Sequence, residues 1–560
     1  MNTKKKWLAV FAAVMAFACM SCKAEIPPYL IVDGTTVTGY TDDLPANLVI
    51  PEGITKIAGG AFYGCDWLES VTIPGSVKAI GEDITLEEAE EKDMEDLCTF
   101  GSCTSLKSVM IGKGVKVIGE CAFYECYSLA SVTIPNSVTT IGDWAFADCE
   151  SLASVTIPNS VTTIGECAFG GCSLTSVTIP NSVTTIGGGA FDECYSLASV
   201  TIPNSVTTIG EEAFSDCTSL AEVTYNGTLA QWCQLDNGNI GYYAKSIRLS
   251  DVADLKALTS LTIPDGVTTI GGSAFSYCKS LTSVTIPNSV TTIGAWAFDG
   301  CESLAEVTYN GTLAQWCQLD NGNIGYYAKS IRLSDVANLR ALTSLTIPDS
   351  VTKIGDGAFG FCESPTSVTI PNSVTTIGKD AFRGCTSLTS VTIPNSVTTI
   401  GGSALRGCTS LTSVTIPNSV TTIGDCAFRG CTSLTSVTIP NSVTTIGYGA
   451  FDSCTSLTSV TIPNRVTTIG DWAFLYCTSL TSVTIPSSVT SIGNGAFYNC
   501  TSLTSVSIPN SVTSIGNRAF DGCTSLTSVT YTGTKVQWNA IKKDYIGSFT
   551  VHCTDGDVSR

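Results

Sequence analysis

The sequence predicts a solenoid of short β-coils, and three observations predict it. A cysteine recurs every 23 residues from Cys385 through Cys408, Cys431, Cys454, Cys477 and Cys500 to Cys523. Apolar residues hold fixed places inside the unit, as in CTSLTSVTIPNSVTTIGGSALRG over residues 385–407. Earlier copies end at Cys65, Cys103, Cys126, Cys149, Cys172, Cys194, Cys217, Cys278, Cys301 and Cys362, which makes 17 units. A period of roughly 20–29 residues belongs to stacked repeats, each burying its apolar face only against its neighbours.

The elements of one unit follow in order. Leu388, Val391 and Ile393 fit the L-x-x-L-x-L frame of leucine-rich repeats. Val391 and Ile393 alternate with Thr392, so one face of a short strand is buried while Thr392 points out. Pro394 ends the strand, since it cannot donate to a ladder. Val397 and Ile400 form a second inward pair, and Gly401 permits the next corner. Ala404 and Leu405, Ala-Phe in nearly every other copy, begin a short helical or 3₁₀ turn leading to the cysteine. The chain thus reads as mostly β with short helical or 3₁₀ turns, in about 17 coils of 23 residues. Stacked about 4.8 Å apart, the coils predict a right-handed curved rod on the order of 80 Å long.

The unit SLTSVTIPNSVTTIG-xx-AF-xx-C resembles the BspA-like, treponemal-type leucine-rich repeats of bacterial surface proteins, from about Tyr29 to the C-terminus. The resemblance implies a leucine-rich-repeat solenoid and a surface-exposed protein. It also implies adhesion to host matrix proteins, coaggregation or other protein–protein contacts. The start, YLIVDGTTVTGYTDDLPANLVIPEGITKIAGGAF from Tyr29, resembles that family's hairpin-like N-terminal cap. A cap is physically expected, because an open first coil would expose its core and a strand edge.

Around the array, the first residues read as an export signal. Lys4, Lys5 and Lys6 precede an apolar stretch of 12 residues, 7–18, too short for the roughly 20 residues of a membrane-spanning helix. The segment resembles a bacterial lipoprotein signal at residues 1–22, with Cys22 as the acylated cysteine and Cys19 as the alternative. It departs from that pattern in carrying Cys19 where leucine is usual, and plain secretion is the other reading. An N-terminal cap over residues 23–60 leads into the array at residues 61–530. An acidic insertion at residues 82–96 holds nine carboxylates and one lysine, and reads as a solvated surface segment. No D-x-D-x-D-G spacing supports calcium there.

Residues 224–261 and 308–345 are near-duplicates that break the period, each with YNGTLAQWCQLDNGNIGYYAKSIRLSDVA. A shorter relative, YTGTKVQWNAIKKDYIGSFTVHCTDG, opens the C-terminal cap at residues 531–560. Each places a tryptophan, Trp232, Trp316 or Trp538, on a short helix after a Tyr-x-Gly-Thr turn. The motif reads as a capping unit whose rings cover the coil beneath. The alternative makes Trp232 and Trp316 aromatic platforms for a sugar or peptide.

Little in the sequence supports catalysis. His552 is the single histidine and lies eight residues from the end, which undercuts Ser-His and Cys-His schemes. Gly355, Gly357 and Gly360 match G-x-G-x-x-G, but only as the corner of one repeat. Asp143, Glu166 and Asp471 are not placed as carboxylates across a cleft. No cofactor is predicted, and without a C-x-x-C beyond the leader no metal site is either. The repeat cysteines read as buried thiols, because a column of side chains pointing the same way resists serial bridging. The C-x4-C pairs ending at Cys103, Cys126, Cys172 and Cys431 are the better disulfide candidates.

A net charge of −20 argues against nucleic acid and against a bare anionic membrane, leaving a lipid anchor as the membrane contact. Within the array Thr389, Ser390 and Thr392 belong to positions that hardly change from Cys385 to Cys523. Variation gathers at the Ala-Phe turn, as in Lys379-Asp380, Asp425-Cys426, Asp471-Trp472 and Asn517-Arg518. The repeated Ser/Thr face suits polyvalent, individually weak contacts, and the turn edge suits specificity. Uniformity left by recent duplication accounts for the pattern equally well. The leading reading is a non-catalytic surface protein that binds a protein ligand, such as host matrix or another cell surface. A structural spacer or envelope scaffold comes second, and carbohydrate binding at the Trp/Tyr-rich interruptions third.

Overall fold

The computed structural model describes residues 25–81, 97–322 and 324–558. The leader, with Cys19 and Cys22, and the acidic insertion at residues 82–96 lie outside the described residues. The chain divides into two compact units. One runs to Ala257 and takes in Gly272–Ser276, and the other comprises Leu258–Gly271 and the chain from Tyr277 onward.

The regular coils contribute two short strands each, except the one after Cys149, which has only Thr163–Ile164. One coil of the second unit shows why two form. Ser390–Thr392 is exposed, buried, exposed in turn, as its Ser-Val-Thr alternation requires. It pairs in parallel with the coils on either side, so that Val391 lies between Val368 and Val414. Thr399–Ile400 forms the second strand and pairs with Thr376–Ile377 and Thr422–Ile423. The 23-residue period is therefore a register in which like residues stack on like. A slip of one residue would turn Val391 into solvent, so the pattern itself fixes the pairing.

Between the strands the Pro394 carbonyl accepts from the Val397 N–H at 3.0 Å, closing a turn. After Ile400 the chain makes successive 3₁₀-type bonds, Ala404 N to Gly401 O at 3.3 Å and Arg406 N to Ser403 O at 3.0 Å. Left-handed backbone at Ser403 (φ 55°) and Gly407 (φ 73°) breaks these turns before they become a helix. Gly401 is obligatory for a different reason: a Cβ there would lie 2.6 Å from the Gly378 carbonyl carbon of the preceding coil.

The first unit holds one ten-stranded and two four-stranded sheets, and the second holds sheets of eleven, nine, four and three strands. Antiparallel strands Leu30–Asp33 and Thr36–Tyr40 open the first unit, the latter continuing in parallel onto Lys56–Ile57. The interior is a set of columns. Phenylalanine rings from Phe62 to Phe214 stack nearly parallel at centroid spacings of 5.0–5.6 Å. A second run from Phe428 to Phe520 is spaced at 5.2–5.4 Å. Beside them all 17 repeat cysteines are buried.

The interruptions are enlarged coils. Thr228 caps the helix Leu229–Gln234 through a reciprocal capping box with Gln231. Asp236–Asn237 and Ser246–Arg248 then extend the two strand ladders by one step, and both ladders end there. Helices Leu313–Gln318 and Lys535–Ala540 repeat this cap with Thr312/Gln315 and Thr534/Gln537.

Candidate interaction surface

The hydroxyls of the repeat divide into two classes that the sequence does not separate. The Thr389 Oγ1 donates to the Thr366 carbonyl one coil back at 3.0 Å, and the Thr412 Oγ1 donates to Thr389 O at 3.2 Å. The same bond recurs down the column at Thr435, Thr458, Thr481 and Thr504. The Ser396 Oγ donates to Val374 O at 2.6 Å in a second such column. These groups tie coils together. Ser390 and Thr392 lie on the exposed face of their strand, and among the described residues no intramolecular bond takes up their hydroxyls. Ser413, Ser436, Ser459 and Ser482 repeat Ser390 in strict parallel register.

The Ala-Phe turn edge is built differently. At its first variable slot an aspartate serves the next coil: Asp471 Oδ1 accepts from Asn494 N at 2.7 Å and Oδ2 from Asn494 Nδ2 at 3.0 Å. Asn494 Oδ1 in turn accepts from Asn517 N at 2.8 Å. The second slot is left-handed, with φ 58° at Trp472 and 57° at Arg518. That conformation swings the side chain outward. The Trp472 ring lies over Gly495, where a Cβ would meet it at 2.3 Å, and stands edge-on to Tyr498 at 6.3 Å. Arg518 is exposed and sits 3.9 Å from Asp521. In the first unit this edge is acidic: burial, and then the Glu125 and Glu193 charges, raise the Asp148 carboxyl above its usual range.

A family model described as the BspA type leucine-rich-repeat region matches in six copies, over residues 41–87, 96–198, 139–234, 245–318, 329–458 and 421–546. The chain belongs to this BspA-type family. BspA-type repeats form a non-catalytic leucine-rich-repeat scaffold, and this chain is one that serves protein–protein interaction. Three solved structures are similar to it. A leucine-rich repeat protein from Eubacterium ventriosum is 26% identical, with 58% of this chain and 82% of that one covered and a TM-score of 0.36. One from Bacteroides ovatus is 23% identical over 93% and 100% of the two chains, with a TM-score of 0.28. A leucine rich cell surface protein from Faecalibacterium prausnitzii is 25% identical over 94% and 99%, with a TM-score of 0.24. No curated protein matches the chain.

For this BspA-type chain the packing reading of Trp232 and Trp316 holds over their candidacy for the binding surface, and the disulfide expectation is corrected. Trp232 and Trp316 are not part of the surface: both are fully buried, each donating its indole N–H at 2.7 Å to a backbone carbonyl, of Ala274 and Ala358 respectively. Tyr225 and Tyr309 pack edge-on against them, so the rings fill the ends of ladders as packing area. The C-x4-C pairs are not disulfides either, since all 24 described cysteines are thiols. Five residues around the turn separate an inward thiol from a corner thiol. Cys126 Sγ donates to Phe100 O at 3.2 Å, whereas Cys121, left-handed at φ 47°, packs with Cys98 and Leu97. Burial pushes the inward thiols up, Cys362 and Cys431 to about 12.

Among the described residues no group of three or more His, Cys, Asp or Glu could hold a metal ion. His552 is exposed on the final antiparallel pair and meets Asp557 Oδ1 at 2.8 Å. Of the surface aromatics on the turn edge, sequence reasoning singled out Trp472 and missed Trp144 and Trp296. Trp144, Trp296 and Trp472 all occupy the slot before Ala-Phe, and Trp296 is 64% exposed. The signal was present in that slot, where a bulky ring stands at a left-handed position pointing outward.

Proposed function

We propose that this protein is exported and held at the bacterial cell surface, where it binds other proteins polyvalently along its Ser/Thr strand face. The carrying observation is the row of outward Ser390-type hydroxyls repeated in register, while neighbouring Thr389-type hydroxyls are engaged within the fold. Equal sites at one-coil spacing suit a partner that itself repeats, such as an extended matrix protein. Each contact is weak and the sum is strong through effective concentration. The variable edge at Asp471, Trp472, Asn517 and Arg518 adds selectivity. Export rests on the leader read at residues 1–22, with Cys22 or else Cys19 acylated, or with plain secretion in its place.

The test is binding of the mature chain to a panel of immobilised extracellular matrix proteins. Ser390→Arg is compared with a triple variant adding Ser413→Arg and Ser436→Arg. The single change should lower apparent affinity about twofold and the triple change by about tenfold or more, as lost valency multiplies. Absence of binding to every panel member by the folded wild-type chain would leave a spacer role in its place.

A further inference from the structure

We propose that the turn edge around Trp296 in the second unit is a binding site for the end of a neutral saccharide. This goes beyond the protein-binding reading and stands or falls separately from it. A cleft of about 270 Å³ is walled by Trp296, Tyr326 and Phe361 and carries Asp299 and Arg383 as its polar groups. Trp296 and Tyr326 are 64% and 57% exposed, an unusual outlay of ring surface beside a recess. A second recess of about 420 Å³ adjoins the first, with Trp296 and Arg383 lining both. Small-ligand clefts fall in this size range, apolar walls with a few placed polar groups.

The cleft is held rigidly. The Arg340 guanidinium donates to the carbonyls of Gly325 at 2.8 Å, Ala328 and Phe361, fixing the turn that carries Tyr326 against the coil that carries Phe361. Tyr326 stands edge-on to Phe361 at 4.8 Å, and Arg383 lies over the Phe361 ring at 5.4 Å. The Tyr327 hydroxyl donates to Asp299 Oδ1 at 2.7 Å, leaving the carboxylate oriented. Such preorganisation reduces what a ligand must spend in ordering its site.

The polar groups select the ligand class. The second recess carries the carboxylates of Asp320, Asp356 and Asp380 and the cations of Lys379, Arg383 and Arg406. Their charges balance, so neither an anionic nor a cationic ligand gains. Asp380 is only 4% exposed, and its Oδ1 has no hydrogen-bond donor, with Arg383 Nη1 at 3.5 Å. Sugar hydroxyls both donate to carboxylates and accept from guanidinium, while the C–H face of a pyranose ring covers an exposed indole. The near-duplicate 84 residues earlier supplies an internal contrast: Glu212 stands in place of Trp296 and Ser215 in place of Asp299, although Tyr242 is kept.

The experiment presents the mature chain to an array of immobilised oligosaccharides: neutral galactose-, mannose-, glucose- and N-acetylglucosamine-terminated ones alongside sialylated and sulfated ones. The same array is run with Trp296→Glu and Asp299→Ser, which install the residues of the earlier copy, and with Trp144→Ala as a control ring in the same slot of another repeat. Thermal melts check that each variant folds, as the exposure of Trp296 predicts. The expected result is binding to neutral glycans that drops at least about tenfold in Trp296→Glu and persists in Trp144→Ala. Binding to no neutral glycan, binding confined to sialylated or sulfated ones, or neutral-glycan binding indifferent to Trp296→Glu overturns the proposal.

Discussion

At the scale of single residues, chemically similar side chains in this repeat do opposite jobs, and geometry alone assigns them. Thr389 and Ser390 are adjacent, both exposed and nearly invariant from Cys385 to Cys523. Only Thr389 donates to the preceding coil. An intramolecular hydrogen bond of this kind contributes about 0.5–1.5 kcal/mol net. Changing Thr389, Thr412 and Thr435 together to Val should therefore cost about 2–3 kcal/mol, read as a lower melting temperature and urea midpoint. The same three-fold change at Ser390, Ser413 and Ser436 to Ala should stay within about 0.5 kcal/mol, as for surface sites without partners. Equal losses in the two sets would show that both columns are structural and remove the basis for a free hydroxyl face. The alternation of Val391 was legible in the sequence because burial leaves a period of two. The split between Thr389 and Ser390 was not, because polarity carries no record of where a hydroxyl points.

At the scale of elements, the phenylalanine ladder and the tryptophan helices show how much the period reveals. The Ala-Phe positions were legible as a turn, while the burial and stacking of their rings follow from register. One copy breaks it: Leu405 interrupts the rings between Phe382 and Phe428 and is itself 1% exposed. Leu405→Phe should complete the stack, adding roughly 0.5–1.5 kcal/mol of ring–ring interaction where the wider ring fits between its neighbours. A raised melting temperature is the expected outcome, and a lowered one would mean that the coil had already closed around leucine. The capping helices were legible through GT-x-x-Q, where Thr and Gln at that spacing satisfy each other's backbone donors. The burial of Trp232 was the less interesting of two sequence-compatible outcomes. The cleft at Trp296 was out of reach, because Trp296, Tyr326, Phe361 and Arg383 come from separate segments that meet only after the enlarged coil has set the path.

At the scale of the whole molecule, the thiol columns couple stability to pH in one direction. From Cys385 to Cys523 each repeat thiol donates to a carbonyl of the coil before it, as Cys431 Sγ does to Leu405 O at 3.3 Å. Burial raises Cys362 and Cys431 to about 12 and lifts Cys385, Cys408 and Cys454 well above the ordinary thiol value. An unfolded cysteine ionises near about 8.5. The folded chain therefore binds protons that the unfolded chain has released above that value. This contribution is complete below about pH 8.5 and is lost as the pH climbs toward about 12. At pH 10 the loss amounts to about 2 kcal/mol per buried thiol. Several adjacent coils share the loss, and neighbouring repeats unfold cooperatively. Alkaline unfolding is thus expected between about pH 9 and 11, followed by circular dichroism together with thiolate absorbance. Cys408→Ser, Cys431→Ser and Cys454→Ser in one chain should lower stability at pH 7 yet move the alkaline midpoint upward, since serine does not ionise there. A midpoint that falls in step with the neutral-pH loss would mean that other groups, such as the buried Tyr225 and Tyr309 hydroxyls, set the transition. The same protonation keeps the thiols poor nucleophiles near neutral pH, because exchange proceeds through the thiolate. The chain can therefore carry a thiol in every coil without cross-linking its own core, and a disulfide-bearing reagent should modify half-exposed Cys167 before any member of the column.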